Sequence, residues 1–162
     1  MTLAVGRMDL PKLPVFSHAS SFTRLATGGN DPLQALKRGV CEIALHSVRA
    51  SVVRLFSREK DWDGFGSATP DRGAVDNALN LLWDLYEGAL ATGLPWLQPH
   101  ITSSEDGQVV FEWWRGSHKL ILYVAADGCE YVKVWGPNIN TQMKDGVLVG
   151  DQFQGLWRWL LA

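Results

Sequence analysis

A chain of 162 residues, 46% hydrophobic and 20% charged, can bury one core without disulfide or metal staples, and it is too apolar for disorder. With 15 basic against 17 acidic residues the formal net charge is −2. That balance excludes a global field for nucleic acid or anionic lipid, and equally the acidic excess of a DNA mimic.

Residues 1–30 read as an irregular N-terminal arm, with Pro11, Pro14, a polar patch from Ser17 to Ser21 and Gly28-Gly29-Asn30. Its Leu10 to Phe16 segment is held extended by proline and is free to lie on the domain or on a partner. Residues 31–162 read as a single α+β domain. Asp31 caps a first helix, Pro32 suits its first position and Gln34 completes a capping box. Leu33, Leu36, Val40, Ile43, Ala44, Val48, Val52 and Leu55 recur at helical spacing, with Arg38, Glu42, His46 and Arg49 opposite and an end near Lys60.

Asp61 to Pro70 joins this helix to a second, which Thr69 or Asp71 caps with Pro70 in its first turn. The second helix buries Val75, Ala78, Leu79, Leu82, Leu85, Tyr86 and Ala89, and Gly93 stops it. A helix-to-helix link of this length is expected to be packed. Trp62 and Phe65 would insert between helices and sheet, Gly64 and Gly66 would permit the turn, and Asp63 would accept backbone N–H groups. On that reading Trp62→Ala costs roughly 3–5 kcal/mol.

From Pro99 the period changes to two. Strands are expected over His100 to Ser103, Gln108 to Trp114, Lys119 to Ala125 and Glu130 to Trp135, separated by Glu105-Asp106-Gly107, Arg115-Gly116-Ser117 and Asp127-Gly128 turns. This specifies an antiparallel meander of three or four strands. Val109, Phe111 and Trp113 share one face. Glu112 and Trp114 share the other, where Tyr131, Lys133 and Trp135 are expected to join them. Residues 136–150 read as a polar loop with a short strand at Val147 to Val149. Asp151 then opens a C-terminal helix with Gln154 at capping-box spacing. Phe153, Leu156, Trp157 and Leu160 make its apolar face, and Trp159 points elsewhere.

Cys41 and Cys129 each fall within or beside regular elements, which fits reduced thiols and a cytoplasmic setting. No apolar run is long enough for a signal core or a membrane span. Eight tryptophans are the compositional oddity, and such residues anchor either cores or interfaces.

Little chemistry survives inspection. Asp61-x-Asp63-x-x-Gly66 suggests a calcium loop, but Phe65 takes a ligand position and Arg72 stands where the bidentate glutamate is required. Gly64-x-Gly66 lacks the third glycine and follows a helix, so the phosphate-cradling fingerprint fails. His18, His46, His100 and His118 have no ligand spacing, leaving His100 with His118 across the sheet as the one pair to weigh; no metal or cofactor is expected. Cys129, after its turn, is the more accessible thiol. Asp61 and Asp63, with Glu59 or Glu112, form the only carboxylate group for acid–base work.

The run Trp62-Asp63-Gly64-Phe65-Gly66-Ser67-Ala68-x-Pro70, an alanine- and leucine-rich helix, Asp106-Gly107-x-Val109-x-Phe111-Glu112-Trp113, and Leu120-x-Leu122-x-Val124 with Asp127-Gly128 resemble a group of small uncharacterised bacterial proteins. These carry a Trp-Asp-Gly-Tyr/Phe-Gly-Ala-x-Pro motif between two helices, followed by an antiparallel sheet. The resemblance covers about Leu55 to Trp135, with Ser67 where alanine is usual and Phe65 where tyrosine is common. It implies a bacterial or mobile-element origin and no particular activity.

The sequence therefore predicts two long helices joined by an aromatic loop, the meander, and a closing helix. The leading function is a non-enzymatic protein-binding module, or self-association, in a bacterial conflict or regulatory system such as toxin–antitoxin, phage defence or counter-defence. Trp114, Tyr131, Trp135 and Trp159 are its expected binding residues. The alternatives are a small carboxylate-dependent hydrolase or nuclease using Asp61, Asp63 and Glu112, and nucleic-acid binding through Arg49, Arg54, Arg58 and Lys60. The neutral charge balance argues against the last.

Overall fold

A computed structural model describes residues 32–162. The arm, the Asp31 cap with Gln34, and the side chains of Leu33, Leu36, Arg38 and Cys41 lie outside the described residues.

Helix α1 spans Pro32–Arg54 and tightens into a 3-10 turn at Leu55–Ser57, ending before Lys60. Its buried stripe is Leu45, Val48, Val52 and Leu55, while Val40 and Ile43 are exposed. The expected face is thus partly wrong. Three- and four-residue spacing admits neighbouring stripes on one cylinder, and contact with α2 and β1 selects the stripe through Leu45.

Helix α2 spans Arg72–Ala91. Asp71 is its N-cap and accepts from the Ala74 N–H at 3.1 Å, so Pro70 precedes the helix instead of entering its first turn. The buried seam holds Val75, Ala78, Leu82, Leu85, Tyr86 and Ala89, as the apolar spacing requires. Thr92 and Gly93 close the helix, with Gly93 at φ 68°.

Among the described residues the sheet has five antiparallel strands in the order β1-β2-β3-β4-β5, one more than the upper expectation. They are β1 His100–Ser103, β2 Val109–Arg115, β3 His118–Val124, β4 Cys129–Val134 and β5 Met143–Val147. The stretch read as loop pairs with β4 from Glu130↔Val147 to Val134↔Met143. Met-Lys-Asp-Gly-Val shows no apolar alternation because this edge strand has neither face buried. The Asp127-Gly128 turn closes through Ala125 N–H donating to Gly128 O, without the positive φ expected of its glycine.

The three helices of the described residues lie on one side of the sheet. There Val109, Phe111 and Trp113 of β2 and Leu120, Leu122 and Val124 of β3 join the core with α3, Gln152–Leu161. Gln154 forms no capping box, since Asp151 makes no side-chain cap bond; Gln152 instead reaches back to the Val149 N–H at 3.3 Å.

Three indoles fix the α2-to-sheet connector. Trp113 Nε1 donates to Leu97 O at 2.9 Å and Trp157 Nε1 to Pro95 O at 3.2 Å, and Trp96 stacks on Trp157 at 5.8 Å. Much of the tryptophan surplus is therefore core. The indole N–H groups of Trp113 and Trp157 each reach a carbonyl of this irregular connector.

Candidate binding groove and the aromatic loop

The loop from Asp61 to Ser67 is held by its own carboxylates. Asp63 Oδ1 accepts from Phe65 N–H at 3.0 Å and Ser67 N–H at 3.4 Å, and its Oδ2 accepts from Ser67 Oγ at 2.5 Å. Asp61 Oδ1 accepts from Gly66 N–H at 2.6 Å, and Asp61 N–H donates to Ser67 O at 2.8 Å. Gly64 and Gly66 sit at φ 76° and 88°, where a side chain would be strained.

This loop does not insert its aromatics into the core, contrary to the sequence expectation. Phe65 is 92% exposed, and Trp62, at 36%, stacks on the Arg58 guanidinium 3.9 Å from its ring centroid. The turn that satisfies the two aspartates points the Phe65 side chain outward, and Ser67 and Pro70 take the buried places. Trp62→Ala should therefore change the free energy of unfolding by under about 1 kcal/mol, the scale of an exposed cation–π contact. Urea denaturation measures it, and a loss near the 3–5 kcal/mol of a core truncation would contradict this placement.

The hydrogen bonds to Asp63, that from the Ser67 hydroxyl foremost, hold its carboxyl below the usual 3.8. A lowered folded-state value means the contribution to stability is present above the unfolded pKa and lost as pH falls through the folded one. An NMR titration of the Asp63 carboxyl carbon should give a midpoint below 3.8 in the folded protein. A midpoint at or above that value would show the bonds are not maintained.

Arg58 also donates to Ser103 Oγ at 2.7 Å and Thr102 Oγ1 at 3.3 Å, wrapping the free side of β1. Ala68 N–H donates to Glu105 O at 2.7 Å and Asp71 N–H to Gly107 O at 3.0 Å. The loop thus shields one edge of the sheet. Arg58 is occupied in doing so, and the two aspartates in holding the loop's own turn.

Glu112 lies on the outer sheet face, 3.1 Å from Lys119 Nζ and 3.7 Å from His100 Nδ1. His100 is paired with Glu112 in register, whereas His118 is paired with Arg115, so the two histidines fall on opposite faces and cannot share a metal. Among the described residues no three histidine, cysteine or carboxylate side chains come together as a metal site. Cys129 is buried, not accessible. Burial, with the Glu130 charge beside it, pushes the thiol up to about 12. Iodoacetamide at neutral pH should leave Cys129 unmodified until urea unfolds the chain, read by peptide mass mapping; rapid labelling in the folded state would contradict its burial.

The expected aromatic surface divides. Trp114 is on the outer face, over which Lys119 Nζ sits 5.0 Å from its centroid. Tyr131 and Lys133 are not with it. Their register partners, Leu122 and Leu120, are core residues, so both side chains lie on the helix side. The expectation placed them one face off because β4 alternates partly apolar residues on both faces, leaving no polar face to set its phase.

On the helix side β4 and α3 enclose an open groove of about 440 Å³ whose lining includes Tyr131, Lys133, Asp151, Gln154 and Arg158. At its rim Trp159 stacks on His118, with centroids 4.6 Å apart, and meets Trp135 edge-on at 6.2 Å. Lys133 Nζ lies 5.1 Å from the Trp159 centroid and 5.8 Å from that of Trp135. The Tyr131 ring lies across Gly146 of β5, where a Cβ would come within 3.0 Å of it. Three of the four residues expected to bind a partner, Tyr131, Trp135 and Trp159, are thereby gathered on this side, and Trp114 is not among them. Sequence reasoning missed Arg158 and Gln154, which helical spacing places one turn apart on the same helix.

The described residues form an α+β fold, with three helices over one face of a five-stranded antiparallel meander. No protein-family model, curated protein or solved structure matches the chain.

Proposed function

We propose that this protein is a protein-binding module whose recognition surface is the groove between β4 and α3. The observation that carries this reading is the convergence of Tyr131, Trp135 and Trp159 with Lys133 and Arg158 around an open concavity. Aromatic and arginine side chains in such a setting are what binding energy concentrates on. The setting, a bacterial conflict or regulatory system, rests on the resemblance of Leu55 to Trp135 alone. Among the described residues no helix is long and apolar enough to cross a membrane.

Affinity capture with the full chain tests the reading, comparing the parent with Trp135→Ala and Trp114→Ala, each checked by circular dichroism. The groove reading expects a captured protein that is lost with Trp135→Ala and kept with Trp114→Ala. Capture of nothing by the parent, or loss only with Trp114→Ala, would overturn it.

A further inference from the structure

The two edges of the sheet differ. Arg58, just before the loop, bonds to Thr102 and Ser103 of β1, whereas β5 is hydrogen-bonded only to β4 among the described residues, and its residues are exposed except for the half-buried Gly146. An open edge of this kind is a template for one more strand.

On the helix-side face the charge beside that edge is largely of one sign. Lys144 of β5 is the register partner of Lys133, which puts two like charges on neighbouring positions of the helix-side face. Directly opposed like charges disfavour strand pairing. Lys133 is held over its two indoles, and Arg158 enters the same groove from α3. No carboxylate lies within 4.0 Å of any of the three among the described residues, and Asp151 is the only acid in the groove lining. On the outer face the same strand presents Met143 and Val147 at either end, both exposed, with the exposed Asp145 between them.

We propose that β5 accepts an extended segment of a partner protein as a sixth strand, and that this segment is acidic on one face and apolar on the other. Its carboxylates would face Lys144, Lys133 and Arg158, and its alternate apolar side chains would lie against Met143 and Val147. The inference rests on the protein-binding reading and names the partner's chemistry. Charge complementarity selects an acid. The free backbone edge selects a polypeptide over a nucleic acid, since only a polypeptide can continue the hydrogen-bond ladder, and a net charge of −2 supplies no wider field for phosphates.

Fluorescence anisotropy tests this with three labelled probes: a short peptide alternating valine with glutamate, one alternating valine with lysine, and oligothymidylate. The valine–glutamate peptide should bind and shift the backbone amide resonances of Met143 to Val147, and the other two should not. The double substitution Lys144→Glu with Arg158→Glu changes exposed positions, and its melting is checked against the parent. It should weaken the valine–glutamate peptide by about tenfold, roughly 1.4 kcal/mol, and admit the valine–lysine peptide.

The proposal falls if the valine–glutamate peptide does not bind or is unaffected by the double substitution. It also falls if oligothymidylate binds more tightly, or if the chain proves to be a dimer that pairs its own β5 strands. If captured protein is lost with Trp135→Ala yet is indifferent to the double substitution, the protein-binding module stands and the acidic strand does not.

Discussion

Replacing Trp113 with alanine is expected to lower the free energy of unfolding by about 3–5 kcal/mol, the range of large aromatic truncations in cores. Trp113 is essentially inaccessible and packs edge-on against Trp157 at 5.5 Å, with Phe111 at 5.9 Å and Phe153 at 6.4 Å. Its loss removes contacts to β2 and α3 together. It also leaves Leu97 O without the indole donor 2.9 Å away. The cavity cannot close by a local shift, because the surrounding rings are fixed by one another and by the second indole bond to Pro95 O. Urea denaturation with linear extrapolation measures the effect. A loss below about 1 kcal/mol would mean that the aromatic core repacks freely, against the geometry of interlocked rings.

Gly107→Ala is expected to cost about 2–4 kcal/mol, although it adds a single methyl group to a turn. Two independent penalties meet there. The residue sits at φ 81°, which costs an alanine roughly 1–2 kcal/mol, and an added Cβ would lie 2.7 Å from the Thr69 carbonyl oxygen. That oxygen belongs to backbone held on both sides by Ala68 N–H to Glu105 O and Asp71 N–H to Gly107 O. Relief therefore means lifting the loop off the β1–β2 turn, at a cost on the scale of overpacking. Gly93→Ala, at φ 68° with open space around it, isolates the first penalty. Equal losses from the two substitutions would show that the loop does not dock as described.

What the sequence made legible follows burial. Helix α2 and strands β2 and β3 each put a run of apolar side chains from one face into the core, so their apolar spacing reports their position directly. Strand β5 buries neither face and carries no such signal, which is why it read as loop. Tyr131 and Lys133 were assigned to the wrong face for a related reason, since β4 is half-buried along most of its length and its phase is set only by pairing with Leu122 and Leu120. The aromatic loop misled in the opposite sense. Its hydrogen-bond roles for Asp63 and the glycine turns could be argued from residue chemistry, but composition alone does not say which way Phe65 faces once both aspartates are satisfied. The groove is the least legible feature, because Trp135, Trp159, Lys133 and Arg158 are brought together by packing α3 against the sheet and by no local motif.

The central claim is that recognition occurs in the groove and along the β5 edge, and not over Trp114 on the outer face of β2. A photo-crosslinking amino acid placed singly at Lys144 and at Trp114 of the full chain tests it in the presence of captured partner. An adduct is expected from position 144 and none from position 114; an adduct from position 114 alone would contradict recognition at the β5 edge.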